Sequence, residues 1–189
     1  MSASPDLPPV VERAFAVSRR AGYVSFCRNE TGRLLAMLAA TRDGTMAEFG
    51  TGCGVGTAWL RSGVRGEKAT IVTAELDPKL ARAATEIFHD DPLVEVLAAN
   101  WSTLMDKGPF SLLFLDSGQP GEVGVDAVAD LVEDGGIVVL DDFTPCESWP
   151  PIAHGRVDVL REQWLTDERF TTVEVMVAPD ASTLIATKR

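Results

Sequence analysis

Apolar residues recur along this chain with two different spacings, and the spacing changes from one segment to the next. In the first forty or so residues they recur every three or four positions, which is typical of amphipathic helices. We expect helices over residues 8–22, beginning at two prolines, and over residues 30–41. Leu34, Leu35 and Leu38 would lie on the buried side of the second helix.

After residue 43, short apolar runs alternate with segments of helical spacing. The predicted order is strand 45–49, helix 55–65, strand 69–75, helix 79–89, strands 93–97 and 110–116, helix 121–132, strand 137–141, helix 156–165 and strands 170–177 and 182–188. Repeated βα units predict a parallel sheet with right-handed crossovers, to which the last two strands add an antiparallel partner. The pattern therefore predicts an α/β fold with a doubly wound, mostly parallel sheet and helices on both faces.

The length and charge of the chain limit its organisation and its partners. A chain of 189 residues fits a single domain, in which we expect residues 1–42 to form an N-terminal helical cap and 43–189 to form the α/β core. The formal net charge is -11, from 17 Lys and Arg against 28 Asp and Glu. This charge repels phosphate backbones and anionic membrane surfaces, so we expect no nucleic-acid partner and no membrane partner.

Cysteine usage and targeting signals bear on the compartment. Cys27, Cys53 and Cys146 are widely separated and odd in number, which suits reduced thiols rather than a disulfide framework. The N-terminal segment lacks the basic and apolar parts of a signal peptide. Apolar runs are shorter than the roughly 20 residues that span a bilayer. We expect a cytoplasmic protein.

The segment after the first predicted strand of the sheet carries glycines at alternate positions, Gly50, Gly52, Gly54 and Gly56. In open parallel sheets ligands bind beyond the C-terminal ends of the strands, and glycines there let a ligand approach the backbone closely. The spacing does not match the G-x-G-x-x-G pattern of dinucleotide sites. It reads E-x-G-x-G-x-G, beginning at Glu48. A glycine turn with a purely structural role is the alternative.

Two acidic residues indicate which ligand this loop takes. Glu48 precedes the loop, where a carboxylate would repel a pyrophosphate but can accept from the ammonium group of an amino-acid cofactor. Glu75 ends the next predicted strand, where a carboxylate can accept from both hydroxyls of a ribose. A ligand that is at once an amino acid and a nucleoside satisfies both carboxylates.

These features together resemble the class I S-adenosylmethionine (SAM)-dependent methyltransferases. The segments NETGRLLAML, AEFGTGCGVGTAWL, IVTAELDP, GPFSLLFLDS and GGIVVLDDF are similar to the catechol/caffeoyl-CoA O-methyltransferase family. The resemblance implies a Rossmann-like, seven-stranded sheet, SAM as cofactor, a small-molecule methyl acceptor and a homodimer. The cofactor-binding residues it implies are Glu48, Gly50, Thr51, Gly52, Gly54, Glu75, Leu76, Asn100, Trp101 and Asp116. Asn100 and Trp101 equally suit a loop that binds no ligand.

Asp116, Asp141 and Asp142 follow adjacent predicted strands. The family has two aspartates and an asparagine at these positions, which coordinate a divalent metal, so the resemblance implies Mg²⁺ or Mn²⁺ here. Aspartates that cap turns and face solvent are the alternative. Gln119 replaces the lysine that the family uses as general base, and glutamine takes no proton at neutral pH. The catalytic group is therefore open, with Asp116 as the candidate; another base, a metal alone, or positioning could also serve.

Two other functions fit parts of the pattern. The missing lysine also suits a non-catalytic protein that binds SAM or takes part in an interaction. A nucleotide-dependent oxidoreductase is disfavoured by the glycine spacing and by a chain too short for a separate substrate domain. His154, in the loop after Asp142, is a candidate base, with a surface histidine as the alternative.

Overall fold

The computed structural model describes residues 6–116 and 123–189. The helices are α1 (Pro9–Ala21), α2 (Asn29–Ala39), α3 (Val55–Gly63), α4 (Pro78–Phe88), α5 (Val125–Ala129) and α6 (Val159–Thr166), with a 3-10 helix at Trp101–Lys107. The strands are β1 (Gly44–Phe49), β2 (Ala69–Glu75), β3 (Val94–Ala98), β4 (Phe110–Leu115), β5 (Val132–Phe143), β6 (Ile152–Ala153), β7 (Arg156–Val157), β8 (Phe170–Ala178) and β9 (Ala181–Lys188). Strands β6 and β7 pair only with each other.

The other strands form one seven-stranded sheet in the order β3-β2-β1-β4-β5-β9-β8. Strands β1 to β5 pair in parallel, and β9 is antiparallel to both of its neighbours. The chain leaves β1 first toward β2 and β3 and later crosses to β4, so the strand order reverses between β1 and β4. Open α/β sheets bind ligands at such a switch point, beyond the carboxyl ends of the strands. The predicted fold class is confirmed.

Helices cover both faces of the sheet. On one face α1 to α4 bury side chains such as Leu35 and Trp59, and on the other the 3-10 helix, α5 and α6 bury side chains such as Val128 and Trp164. Because both faces are covered, β4 is buried at every residue, as its continuous apolar run indicates. Within the described residues, no helix is both long and apolar enough to cross a membrane.

Local sequence explains where several helices begin and end. The Asp77 side chain accepts from the N–H of Lys79 at 2.7 Å and so caps α4, whose first residue is a proline. Helix α1 also begins at a proline, and it ends at Gly22, whose φ of 67° is the left-handed conformation that glycine adopts without strain.

Three parts of the chain differ from the prediction. The helix expected over 121–132 is limited to α5, with residues 121 and 122 outside the described part, because the chain joins the sheet early: Val132 already pairs with Phe110. Helix α6 starts after residue 156, because Arg156 and Val157 pair with β6 and Asp158 caps the helix. The 3-10 helix was not predicted.

Candidate functional site

The glycine loop folds over the carboxyl ends of β1 and β2. Gly50, Gly52 and Gly54 have positive φ values of 97°, 52° and 85°, a region that other residues enter only with strain. The N–H of Gly50 donates to the carbonyl of Ala74 at 3.1 Å, which ties the loop to the end of β2. The alternating glycines therefore allow the tight bend of the loop, and they also leave room for a ligand to approach its backbone.

Glu75 is bound to this loop through its carboxylate. One oxygen accepts from the N–H of Gly52 and the other from the N–H of Asp77, both at 2.8 Å. Each carboxylate oxygen retains a lone pair beyond these bonds. Glu75 is thus oriented in advance as an acceptor for neighbouring hydroxyl groups.

Glu48 is fully buried at the end of β1. Its Oε2 accepts from the hydroxyls of Thr57 and Thr73, the latter at 3.0 Å. Its Oε1 has no hydrogen-bond partner in the protein, and a Cβ at position 56 would collide with it, which explains why Gly56 stands there. Burial raises the pKa of Glu48 to about 8, while the hydrogen bonds from the two threonines act in the opposite direction.

Thr51 takes part in the same buried hydrogen-bond network. It is 3% exposed, and its hydroxyl shares a hydrogen bond of 2.6 Å with that of Thr73. Its side chain therefore stabilises the loop from inside.

The predicted adenine contacts lie beyond β2 and β3. Leu76 is 71% exposed, directly after Glu75. The Asn100 side chain accepts from the N–H of Ser102 at 2.9 Å and caps the 3-10 helix. Trp101 stacks on Phe49 with ring centroids 5.0 Å apart. Asn100 and Trp101 thus have structural roles whether or not a ligand is bound.

The three aspartates differ in their surroundings. Asp116 follows β4, its N–H donates to the carbonyl of Phe49 at 3.0 Å, and burial, followed by nearby carboxylates, raises its pKa well above the usual range. Asp141 is 8% exposed and accepts from the hydroxyl of Thr31 at 3.1 Å. Burial and then Asp142 raise the pKa of Asp141 to about 6. Asp142 is exposed and has a φ of 67°.

The three aspartates are not grouped as metal ligands in this structure. Among residues 6–116 and 123–189, no three His, Cys, Asp or Glu side chains are grouped so that they could hold a metal ion. Metal binding at Asp116, Asp141 and Asp142 stays a prediction. Gln119, at the position of the family's lysine, lies outside the described residues.

A cavity of about 380 Å³ lies beside the end of β5. Its lining includes Asp141, Phe143 and His154. Its wall is fixed by Arg161, which is 1% exposed, donates to the carbonyl of Thr144 at 2.8 Å and forms ion pairs with Asp158 and Glu174. The burial of Arg161 was not predicted, since arginine is usually exposed.

Tyr23, the only tyrosine of the chain, is a second residue near the loop that was not predicted. It lies in the connection between α1 and α2, and its ring packs on the glycine loop: a Cβ at Gly52 would lie 2.8 Å from both Cε1 and the hydroxyl oxygen of Tyr23. No local motif signals this contact, because it joins residues 29 positions apart.

Residues 47–143, more than half of the chain, match a family described as a methyltransferase domain. The chain belongs to this methyltransferase domain family. A Mycobacterium tuberculosis protein named as an O-methyltransferase is 30% identical over 120 residues, covering 58% of this chain and 52% of that protein. One named likewise from Mycobacterium sp. (strain KMS) is 32% identical over 149 residues, covering 73% and 66%. The chain thus spans about half to two thirds of these relatives.

Solved methyltransferases share the fold. The O-methyltransferase TomG from Streptomyces achromogenes, in complex with SAM, has a TM-score of 0.77 at 19% identity, covering 97% of this chain and 92% of that one. The O-methyltransferase from Bacillus cereus, in complex with S-adenosylhomocysteine (SAH), has a TM-score of 0.73 at 18% identity, covering 98% and 93%. The predicted membership of the methyltransferases is confirmed by the family match, and the solved structures show the same fold.

Proposed function

We propose that the protein is a SAM-dependent methyltransferase that methylates an oxygen atom of a small molecule. The observation that carries this proposal is the glycine loop at the switch point of the sheet, flanked by Glu48 and Glu75. The family match and the names of the mycobacterial relatives support the same activity.

The chemistry of the site suits this cofactor. SAM carries a positive sulfonium and, in its amino-acid part, an ammonium group, whereas the loop is surrounded by the carboxyl groups of Glu48, Glu75 and Asp116. The unpartnered Oε1 of Glu48 can accept from an ammonium group, directly or through water. Backbone groups of Gly50, Thr51, Gly52 and Gly54 would then hold the amino-acid part. We assign the ribose hydroxyls to Glu75 and the adenine to Leu76, Asn100 and Trp101.

In this proposal the protein contributes mainly by positioning. The bound cofactor supplies a methyl group already activated by the sulfonium, so an acceptor oxygen aligned with it needs little further assistance. Asp116 is the catalytic candidate because its backbone hydrogen bond to Phe49 fixes it at the end of β4, beside the loop. The cavity beside β5 is the proposed acceptor site. No step of this mechanism passes through a metal.

Four further expectations stand as proposals beside the activity. Residues 1–189 would form one methyltransferase domain, and the enzyme would act as a homodimer. It would have no nucleic-acid partner, since its net charge is -11. A cytoplasmic location is supported by the cysteines, since Cys27, Cys53 and Cys146 are free among the described residues.

Calorimetric titration with SAH tests the cofactor site. We expect the wild-type protein to bind and Glu75→Ala to bind at least about tenfold more weakly, since a charge-assisted hydrogen bond contributes roughly 1.5–3 kcal/mol. Glu67→Ala, at an exposed position after α3, is the matched control. Equal affinity in the wild type and Glu75→Ala would contradict our placement of the ribose.

Methyl transfer is tested with labelled SAM and a panel of hydroxyl, amine and thiol acceptors. Label appearing on hydroxyl compounds would support O-methylation. SAH binding without transfer to any acceptor class would favour the alternative, a non-catalytic SAM-binding protein.

A further inference from the structure

We propose that Tyr23 is a specificity-determining residue of the cofactor site: its ring contacts the sulfonium end of SAM and makes the site prefer the charged donor to the neutral product SAH. This inference rests on the proposed function and adds to it a residue from outside the α/β core. It assigns a role to the aromatic ring, and none to the phenol as an acid or base.

The first observation is where the ring lies. Its Cε1, Cζ and hydroxyl oxygen would lie 2.8 to 3.0 Å from a Cβ at Gly52. Gly52 is the central residue of the loop and donates its N–H to Glu75. A ligand that binds along this loop and reaches Glu75 therefore passes next to the Tyr23 ring.

The second observation is that the connection between α1 and α2, which carries Tyr23, is anchored at both ends. The Tyr23 N–H donates to the carbonyl of Ser18 at 3.0 Å, at the end of α1. Five residues later, the Arg28 guanidinium forms two hydrogen bonds to the carboxylate of Asp180, of 3.0 and 2.9 Å, in the turn between β8 and β9. Between them Cys27 is buried at 3% exposure. The connection is thus held at one end by α1 and at the other by the turn between β8 and β9.

The third observation is the charge around the ring. The phenol lies close enough to Asp116 and Glu75 for both carboxylates to act on it; its pKa is raised by burial first and then by Asp116. The phenol is therefore neutral at physiological pH, and its ring keeps an uncharged π face. A cation placed on such a face is attracted to it.

A ring that only filled space above Gly52 would stabilise the loop equally for any ligand. A ring that contacts the sulfonium would favour SAM over SAH, because only SAM carries that charge. The ratio of the dissociation constants of SAM and SAH therefore separates the two roles. A loss of loop order would lower the affinity for both ligands together and leave that ratio unchanged.

The test is calorimetric titration of SAM and of SAH into the wild type, Tyr23→Leu and Tyr23→Phe, with Val24→Ala, 83% exposed, as the neighbouring control. If the ring makes a cation–π contact, Tyr23→Leu should lower the affinity for SAM by about 3- to 30-fold more than it lowers the affinity for SAH. Tyr23→Phe and Val24→Ala should keep the wild-type ratio. Equal losses for both ligands in Tyr23→Leu, or loss of the ratio in Tyr23→Phe, would overturn the proposal.

A second measurement covers the case in which Tyr23→Leu perturbs the loop. Gly52→Ala places a methyl group against the ring, so it should lower the SAM-to-SAH preference in the wild type and leave it unchanged in a Tyr23→Leu background. Independent effects of the two substitutions on that ratio would count against the contact. Absence of both SAM and SAH binding by the wild type would overturn the proposed function itself, whereas wild-type binding with an unaltered ratio in Tyr23→Leu would overturn only this inference.

Discussion

Glu48→Gln should remove a large part of the pH dependence of stability of the ligand-free protein. The buried carboxyl has a pKa of about 8 against an ordinary value of 4.5. At 1.36 kcal/mol for each unit of pKa, this difference corresponds to at most on the order of 5 kcal/mol. Glutamine has nearly the same shape and stays neutral, so it mimics the protonated carboxyl between Thr57 and Thr73.

The direction follows from proton linkage. The pKa is raised in the folded state, so the contribution of Glu48 to stability is fully present below pH 4.5. As pH rises toward 8 the unfolded chain releases this proton while the folded protein retains it, and the stability falls. Above pH 8 both states are ionised and the decline ends. Glu48→Gln lacks this decline and should be the more stable protein at pH 8.

Urea unfolding of both proteins at intervals between pH 5 and 9 measures the effect. The difference in free energy of unfolding reports Glu48 together with its coupling to Asp116, whose pKa Glu48 helps to raise, while uncoupled groups cancel between the two proteins. Glu67→Gln, at an exposed position, serves as control. A difference that does not change with pH would refute the claim that Glu48 is protonated in the folded protein at neutral pH.

Three further predictions concern other parts of the site. Gly56→Ala should destabilise the protein by about 2 kcal/mol or more in urea, since its methyl group would collide with Glu48, whereas Gly124→Ala, with open space around it, should change little. Arg161→Met should lower the unfolding free energy by about 3 kcal/mol, because buried Arg161 pairs with two carboxylates; an unchanged midpoint would contradict this. EDTA tests the predicted metal site: SAH affinity that is unchanged in EDTA would agree with the ungrouped aspartates of the structure, and weaker binding in EDTA would support a divalent ion at Asp116, Asp141 and Asp142.

The parts of the fold that follow from local rules were predictable from the sequence. The apolar run of β4 and the Asp77-Pro78 start of α4 each depend on neighbouring residues, and both are observed. The glycine loop could likewise be predicted, because the alternate spacing of its glycines reflects a backbone conformation. Its three positive φ values show that conformation directly.

What could not be predicted depends on contacts between distant segments. Val132 joins the sheet because it pairs with Phe110 of β4. This strand pairing outweighs the helical spacing of the residues before Val132. The Tyr23 ring meets Gly52 only after α1 is packed against α3, and Arg161 is buried only because Glu174 and Asp158 meet it. The aspartates show the same limit, since adjacency of strand ends placed them near one another without grouping them as ligands.

The position of β9 inside the sheet has a consequence for biosynthesis. It lies between β5 and β8 although it follows both in the chain, and Lys188 at its end donates to the carbonyls of Ala129 and Val132 at 2.7 and 2.8 Å. A nascent chain therefore emerges from the ribosome with the edges of β5 and β8 unpaired until residues 181–188 arrive. Translation that stops before residue 181 would leave one edge of β5 open and β8 without any partner strand, and open strand edges are sites of aggregation.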